Sequence, residues 1–446
     1  MAEYNPTTQF EKMYVVSADM GYGHQRAAYP FLEKAEGGII TINDYPGISE
    51  EEKDQWNKMR KQYEKISFFK NIPVVGRAVF SVMDYFQRIE PFYPRRDLSH
   101  PSFQQCFFSR MIKEGVGRKL IEKLNQKPLP LLATFFVAAQ AAEYYNYKGD
   151  IYLVVCDADV ARAWAPTEPD NSRIIYLAPN QRVKERLLLY GVRADKIYVT
   201  GFPLPKTNIG TTDEEYLKQD LKERLEVLDP NGVYRKKYAK LIESYLCPVS
   251  EIDGAKRSLS LTFAVGGAGA QRDLGVYILE RLKNKIIENK IELNLVAGNR
   301  ADVYEYYQKA LKDNYLQNYP NVRIIYDSDK LTSFKKLNEA LRRTDLLWTK
   351  PSELSFYCGL GLPIVITEPL GSQEEYNRRW LLGIGAGVDS KNPKYADEWL
   401  FDFLNSGWLA EAAMRGYMNA PKMGVYNIEN IVLRHQINEI EKVRLL

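Results

Sequence analysis

Short apolar runs alternate with helix-length amphipathic stretches along almost the whole chain. Tyr14–Ala18, Ile39–Ile42, Leu131–Phe135, Ile151–Val155 and Ile174–Leu177 read as buried strands. Between most of them lie segments of helical length such as Gln25–Glu36 and Phe103–Leu124. Strands that are apolar on both faces and alternate with helices predict a parallel sheet covered on both sides. The pattern pauses over the charged, helical stretch Thr211–Leu246, which is interrupted by Asp229-Pro230-Asn231-Gly232, and resumes with Leu259–Val265, Glu292–Val296, Val322–Tyr326, Asp345–Trp348 and Pro363–Thr367. The reading is an α/β chain of two doubly wound Rossmann-like domains. Residues 1–208 form the first and 257–425 the second, with a charged helical linker or insertion at 209–256 and a further amphipathic helix in 426–446. Two such domains facing one another would form a central cleft, since ligands of open α/β sheets sit beyond the carboxyl ends of the strands.

Composition narrows the class. With 446 residues, 45% hydrophobic and 26% charged, the chain is long enough for two cores and too apolar for disorder. A net charge of +4 does not mark a nucleic-acid binder. Four separated cysteines (Cys106, Cys156, Cys247, Cys358) form no CxxC pair, which favours a reducing cytoplasm over a disulfide or zinc framework. Only three histidines are present (His24, His100, His435), so a mechanism built on an imidazole cluster is excluded. The polar N-terminus has no signal-peptide core, and no run reaches the roughly 18 apolar residues of a membrane span.

Both halves open with a strand, a glycine-rich turn and a helix. The first turn is Ser17-Ala18-Asp19-Met20-Gly21-Tyr22-Gly23-His24 and the second Val265-Gly266-Gly267-Ala268-Gly269-Ala270-Gln271. Neither is a P-loop or the spaced dinucleotide fingerprint. Asp19 and His24 bracket the first turn; either could act as a general base on a hydroxyl, and His24 could instead donate to an oxyanion. The bland alternative is an Asp-stabilised turn with a histidine opening a helix. The second turn suits a diphosphate. Gly298-Asn299 ends another strand, and in Thr349-Lys350-Pro351-Ser352-Glu353 a strand hands over to a helix, with Lys350 and free N–H groups available to a phosphate. Glu353 could accept from ribose hydroxyls or simply favour the helix dipole. Gln373 and Asn377 offer two amides for a sugar.

Taken together, these motifs resemble the GT-B glycosyltransferases that make glycolipids, the bacterial diacylglycerol glucosyltransferases and plant-type monogalactosyldiacylglycerol synthases; the peptidoglycan lipid-intermediate N-acetylglucosaminyltransferase is a more distant likeness. The family turn matches Ser17, Asp19, Gly21, Gly23 and His24, with Ala18 interposed. The family's middle-strand aspartate and the tryptophan after it match Asp157 and Trp164. Gly191-Val192 and Lys196-Ile197-Tyr198-Val199-Thr200-Gly201-Phe202-Pro203 follow in order, then Gly266–Gly269, Gly298-Asn299, Thr349-Lys350, Gly361-Leu362-Pro363, and Gln373 with Asn377. The chain departs from the family at Phe356, where a ribose-binding glutamate is usual (Glu353 lies one turn earlier), and at Arg162, near the place of a family histidine.

The resemblance implies a nucleotide-sugar donor, UDP-linked, held by Gly266, Gly267, Ala268, Gly269, Gly298, Asn299, Lys350, Ser352, Glu353, Gln373 and Asn377. It implies an acceptor on the side of Gly21, Gly23, Asp157 and Trp164, and an inverting displacement with His24 or Asp19 as base. No metal and no cofactor beyond the nucleotide-sugar substrate is implied. A lipid such as diacylglycerol is the expected acceptor, and the inner face of the membrane the expected place of work. The alternatives are a UDP-sugar epimerase or hydrolase of the same fold, and a nucleotide-sugar-binding protein without catalysis.

One insertion-like region, at about 49–127, mixes Lys58, Arg60, Lys61, Lys65, Lys70, Arg77, Arg95 and Arg96 with Phe68, Phe69, Phe80, Phe86, Phe92 and Tyr93. Basic residues beside aromatics suit an anionic membrane surface. A buried helix over Val74–Ile89 with a solvated basic rim explains the same residues. Oligomeric state leaves no mark in the sequence.

Overall fold

Each strand–helix series closes into its own six-stranded parallel sheet in the computed structural model, which describes residues 9–58, 89–254, 257–264, 269, 271–369 and 371–436. The chain divides into two compact units, one of Met1–Pro203, Leu370–Asn377 and Met423–Leu445, the other of Leu204–Pro369, Arg378–Lys422 and Leu446. The doubly wound α/β class read from the sequence is the fold of both.

In the first unit β1 (Met13–Ser17), β2 (Ala35–Thr41), β3 (Leu131–Ala133), β4 (Ile151–Val154), β5 (Ile175–Ala178) and β6 (Ile197–Val199) pair in the order β2-β1-β3-β4-β5-β6. All five residues of β1 are buried, as expected for a strand with helices on both faces. Its helices include α1 (Tyr22–Ala28), α2 (Phe103–Lys113), α3 (Arg118–Leu124), α4 (Phe136–Tyr144) and α5 (Gln181–Leu189). Two expectations need correction. The segment Gln25–Glu36 is not one helix: α1 ends at Ala28, a 3-10 turn covers Tyr29–Lys34, and Ala35 already belongs to β2. Pro30 has no N–H to continue the α ladder. Phe103–Leu124 is likewise two helices, parted where Gly115 and Gly117 take positive φ.

The second unit contains α6 (Lys206–Ile209), α7 (Glu215–Leu228), α8 (Val233–Tyr245), β7 (Leu259–Ala264), α9 (Arg272–Ile287), β8 (Ile291–Gly298), α10 (Ala301–Asp313), β9 (Val322–Tyr326), α11 (Lys330–Arg343), β10 (Leu346–Thr349), β11 (Ile364–Ile366), α12 (Ser372–Gly383, whose residues through Asn377 belong to the first unit), β12 (Gly387–Asp389), α13 (Ala396–Asn405) and α14 (Trp408–Asn419). Its strand order is β12-β11-β10-β7-β8-β9. The charged stretch 209–256 lies within this unit. From α7, the buried Arg224 guanidinium donates to the carbonyls of Thr344 at 2.8 Å, Leu360 at 2.8 Å and Gly361 at 3.3 Å. It thus meets the negative ends of α11 and of the 3-10 helix Glu353–Leu360. Burial pulls its pKa down to about 10.

The last described helix, α15 (Gly424–Arg434), belongs to the first unit. Asn427 donates to the Thr200 carbonyl at 2.9 Å, and Phe10 N–H to the Leu433 carbonyl at 2.8 Å. A Cβ on Gly424 would lie 2.3 Å from the Phe202 carbonyl oxygen, so this contact admits only glycine.

Candidate functional site

Strand order fixes where each sheet can hold a ligand. In the first unit β2 and β3 flank β1 on opposite sides, so the chain reverses its winding direction between β1 and β3; in the second unit the reversal falls between β7 and β10. The loops leaving two such strands part to opposite faces and open a crevice at their carboxyl ends. The sequence-predicted residues concentrate there.

After β1, Gly21 has φ +98° and precedes α1, and the space where a Cβ would stand is open. Glycine is required here by backbone conformation, not by crowding. Asp19 helps to hold the turn: its N–H donates to Asn43 Oδ1 at 2.8 Å and its Oδ1 accepts from Gln25 Nε2 at 3.2 Å. Gly23 and His24 lie in α1, both half-buried. His24 Nδ1 is 2.7 Å from the carbonyl oxygen of Thr134, the residue just beyond β3. A carbonyl can only accept, so Nδ1 carries the proton and Nε2 is the acceptor nitrogen of the neutral ring. The ring packs edge-on to Phe135 at 4.8 Å and against the buried Trp164 at 6.0 Å. His24 therefore bridges the β1–β3 switch point with a defined tautomer. Thr134 was not legible as a site residue, because its part is played by a backbone atom and depends on which strand lies beside β1.

Asp157 follows β4 and is half-buried. Its Oδ1 accepts from Asn377 Nδ2 at 3.0 Å, and Asn377 Oδ1 accepts from Ala158 N–H at 2.7 Å. The structure thus joins an expected acceptor-side residue to an expected donor-side one. The rest of the loop is equally fixed. Asp159 and Arg186, both essentially fully buried, form a two-bond ion pair at 2.8 and 2.9 Å, with Arg182 Nε 3.0 Å from the same carboxylate. Arg162 is buried and donates to the carbonyls of Ser99, Ala165 and Pro166, which shapes the turn that carries Trp164. Burial lowers its pKa.

In the second unit Gly266, Gly267 and Ala268 lie outside the described residues. Gly269 has φ +67°, and a Cβ there would stand 3.1 Å from Val303 Cγ2 and 3.8 Å from the Arg300 guanidinium carbon. Gly269 therefore lies against the start of α10, which follows Gly298 and the half-buried Asn299 in the chain. Gln271 precedes α9 and accepts from Thr367 Oγ1 at 3.0 Å, tying the start of α9 to the end of β11. Across the switch point Thr349 Oγ1 donates to the Ala264 carbonyl at 3.1 Å, so Lys350 follows a residue tied to the last position of β7. Lys350 is half-buried, and Ser352 N–H donates to its carbonyl at 2.8 Å. The helix expected after Pro351 is an eight-residue 3-10 helix starting at the buried Glu353. Phe356 is buried in it, its ring 4.9 Å from that of Trp380. Gln373 is half-buried in the first turn of α12.

The first unit thus offers a histidine whose Nδ1–H is committed to a backbone carbonyl in an aromatic surround, and the second, taken by itself, offers Lys350 just beyond Thr349 at its own switch point. Among the described residues no group of three or more His, Cys, Asp or Glu side chains is arranged to hold a metal, and no helix is long and apolar enough to cross a membrane.

No protein-family model matches the chain. Among curated proteins it is similar to the processive diacylglycerol beta-glucosyltransferase of Bacillus pumilus (strain SAFR-032), 19% identical over 388 residues that cover 85% of this chain and 82% of that protein. Among solved structures it is similar to MurG of Acinetobacter baumannii (13% identity, TM-score 0.44, covering 73% of this chain and 78% of that one) and to MnaA of S. aureus in complex with UDP (14% identity, TM-score 0.46, 95% and 96%). The first of these relatives agrees with the resemblance read from the sequence.

Proposed function

We propose that this chain is a glycosyltransferase that moves a sugar from a UDP-linked donor to a hydroxyl of a lipid acceptor, inverting the anomeric centre. The observation that carries the reading is His24 at the β1–β3 switch point, with Nδ1–H committed to the Thr134 carbonyl. The 19% identical diacylglycerol glucosyltransferase supports the substrate class.

In this reading Nε2 takes the proton of the acceptor hydroxyl as its oxygen attacks the anomeric carbon. The bond from that carbon to the diphosphate breaks, and UDP departs with the electron pair. Thr134 holds the imidazole in the required tautomer and favours the imidazolium that forms, through the Nδ1–H bond. Negative charge develops on the leaving diphosphate, where Lys350 and the N–H groups of the glycine turn after β7 supply positive ends. Asp19 serves the turn that presents His24. Glu353 meets the ribose, with Phe356 turned to packing on Trp380.

The lipid part rests on surface chemistry. On α2, Phe103 and Phe107 are 69% and 42% exposed, one turn apart, with exposed Arg110 and Lys113 farther along the helix. Phenyl rings beside cations suit the interface of an anionic membrane.

The test begins with thermal shift against UDP, GDP, ADP and CMP. A ligand at about 100 times its dissociation constant stabilises the native state by roughly 2.7 kcal/mol, so a selective UDP response is expected. UDP-sugar turnover is then measured with diacylglycerol in anionic vesicles. His24→Ala should lower turnover by about 10²-fold or more at unchanged stability. Absence of any nucleotide response, or full activity without His24, would overturn the reading; turnover of the donor without an acceptor would point to an epimerase or hydrolase.

A further inference from the structure

Ala158 is held at both its N–H and its carbonyl by asparagines. Asn377 reaches this segment from α12, donating to Asp157 Oδ1 at 3.0 Å and accepting from Ala158 N–H at 2.7 Å, and it has no exposed surface. On the other side Asn180, which caps α5 by accepting from Val183 N–H, donates to the Ala158 carbonyl at 3.2 Å. Only a carboxamide can serve at 377. A carboxylate would repel Asp157, and an apolar side chain would leave a carboxylate oxygen and a buried N–H without these partners.

The residues on either side of this segment reach His24 or its partner. Cys156 Sγ, one residue before Asp157, reaches the same Thr134 carbonyl that accepts from His24 Nδ1, at 3.5 Å. The loop that begins at Asp157 also delivers Trp164 onto the His24 ring. Asp157 is half-buried and accepts from Asn377, whereas Asp159, two residues on, is buried on Arg182 and Arg186.

We propose that Asn377 is a positioning residue for Asp157, fixing that carboxylate beside His24 to orient the acceptor hydroxyl, and does not contact the transferred sugar. This rests on the glycosyltransferase reading above and changes the part that the sugar-facing amide pair assigns to Asn377. With no exposed surface, one N–H on Asp157 and its oxygen on the Ala158 N–H, this amide faces the loop after β4.

Full-length wild type, Asn377→Leu, the isosteric Asn377→Asp and the exchanged pair Asp157→Asn/Asn377→Asp test this by calorimetric UDP affinity, acceptor kcat/KM and its pH profile. Both single variants should bind UDP within about twofold of wild type while losing about tenfold or more in acceptor kcat/KM, the usual range for groups that orient a reacting one. In Asn377→Asp two facing carboxylates share a proton, so the acid limb of the profile moves to higher pH. The exchanged pair removes that repulsion and should return the limb toward its wild-type place. Weakened UDP-sugar binding with acceptor kinetics intact would overturn the proposal, as would an unmoved acid limb in a folded Asn377→Asp protein. A wild-type chain that neither binds UDP nor turns over any UDP-sugar refutes the glycosyltransferase reading and this proposal with it; donor-side loss in an active enzyme refutes this proposal alone.

Discussion

Replacing Arg186 by methionine isolates the contribution of the ion pair that holds the loop after β4. Asp159 is 1% exposed and receives Arg186 Nε and Nη2 at 2.8 and 2.9 Å, Arg182 Nε at 3.0 Å and Val160 N–H at 2.9 Å. Both guanidinium groups lie over the Phe92 ring, at 3.8 Å for Arg182 and 5.1 Å for Arg186. Methionine keeps much of the apolar stem but leaves the buried carboxylate with one half-exposed arginine. Breaking a buried pair from one side costs about 3–5 kcal/mol. For a unit of this size each kcal/mol lowers the melting temperature by about 2–4 °C, so the first unit should melt roughly 6–20 °C earlier. Differential scanning calorimetry can separate its transition from that of the second unit. The double variant Asp159→Leu/Arg186→Met removes both charges, and with them a buried Arg186 Nη1 that has no hydrogen-bond partner. It should recover most of the loss, because apolar replacement of a whole buried pair is commonly neutral or better. A single variant within about 1 kcal/mol of wild type would refute the argument. So would a double variant as unstable as the single, since the energy would then reside in stacking on Phe92.

Other outcomes follow from equally local geometry. Gly416→Ala sits in α14, where alanine ordinarily stabilises a helix by about 1 kcal/mol, yet its Cβ would lie 2.4 Å from the Cys358 carbonyl oxygen; urea denaturation should therefore report a loss of about 1–3 kcal/mol, and a gain would mean that the two backbones are not in contact. Asp329 caps α11, accepting from Thr332 N–H and Oγ1 at 2.8 Å, and those bonds depress its pKa. Because the folded value lies below the unfolded one, its stabilisation is present above the ordinary aspartate range and lost as pH falls through the depressed value. The urea midpoint of Asp329→Ala should accordingly trail wild type at neutral pH and converge with it in acid, whereas a gap independent of pH would remove the carboxylate from the cap. Lys350→Ala should weaken UDP binding in calorimetry more than it raises acceptor KM; equal effects would mean that Lys350 is not on the donor side.

Strand positions were readable because a buried parallel strand must be apolar on both faces, as Leu131–Ala133 and Leu346–Thr349 are. β12 escaped because three residues, Gly387–Asp389, of which only the glycine is buried, carry no such pattern. Helix ends were misread where one residue dominates: Pro30 stops α1, and Gly115 and Gly117 divide α2 from α3. The β1 turn and His24 were legible as a motif. The tautomer of His24 was not, since Thr134 lies 110 positions away and contributes a carbonyl. Nor could Q-x-x-x-N spacing reveal that Asn377 docks on the loop after β4, or that Asp159 meets an arginine 27 positions on. Such pairings are set by strand order, and strand order is carried by the whole chain.

The return of α15 to the first unit has a consequence for biosynthesis. The bulk of that unit is complete at Pro203, but the helix whose Asn427 reaches Thr200 begins some 220 residues later. At about 5–20 residues per second the ribosome needs on the order of 10–40 s to supply it. During that interval the Thr200 and Phe202 carbonyls, and the apolar surface that Ile428, Ile431 and Val432 will cover, face the nascent chain's surroundings. The N-terminal half leaves the ribosome first, yet it waits for α15 before the Thr200 carbonyl has its partner.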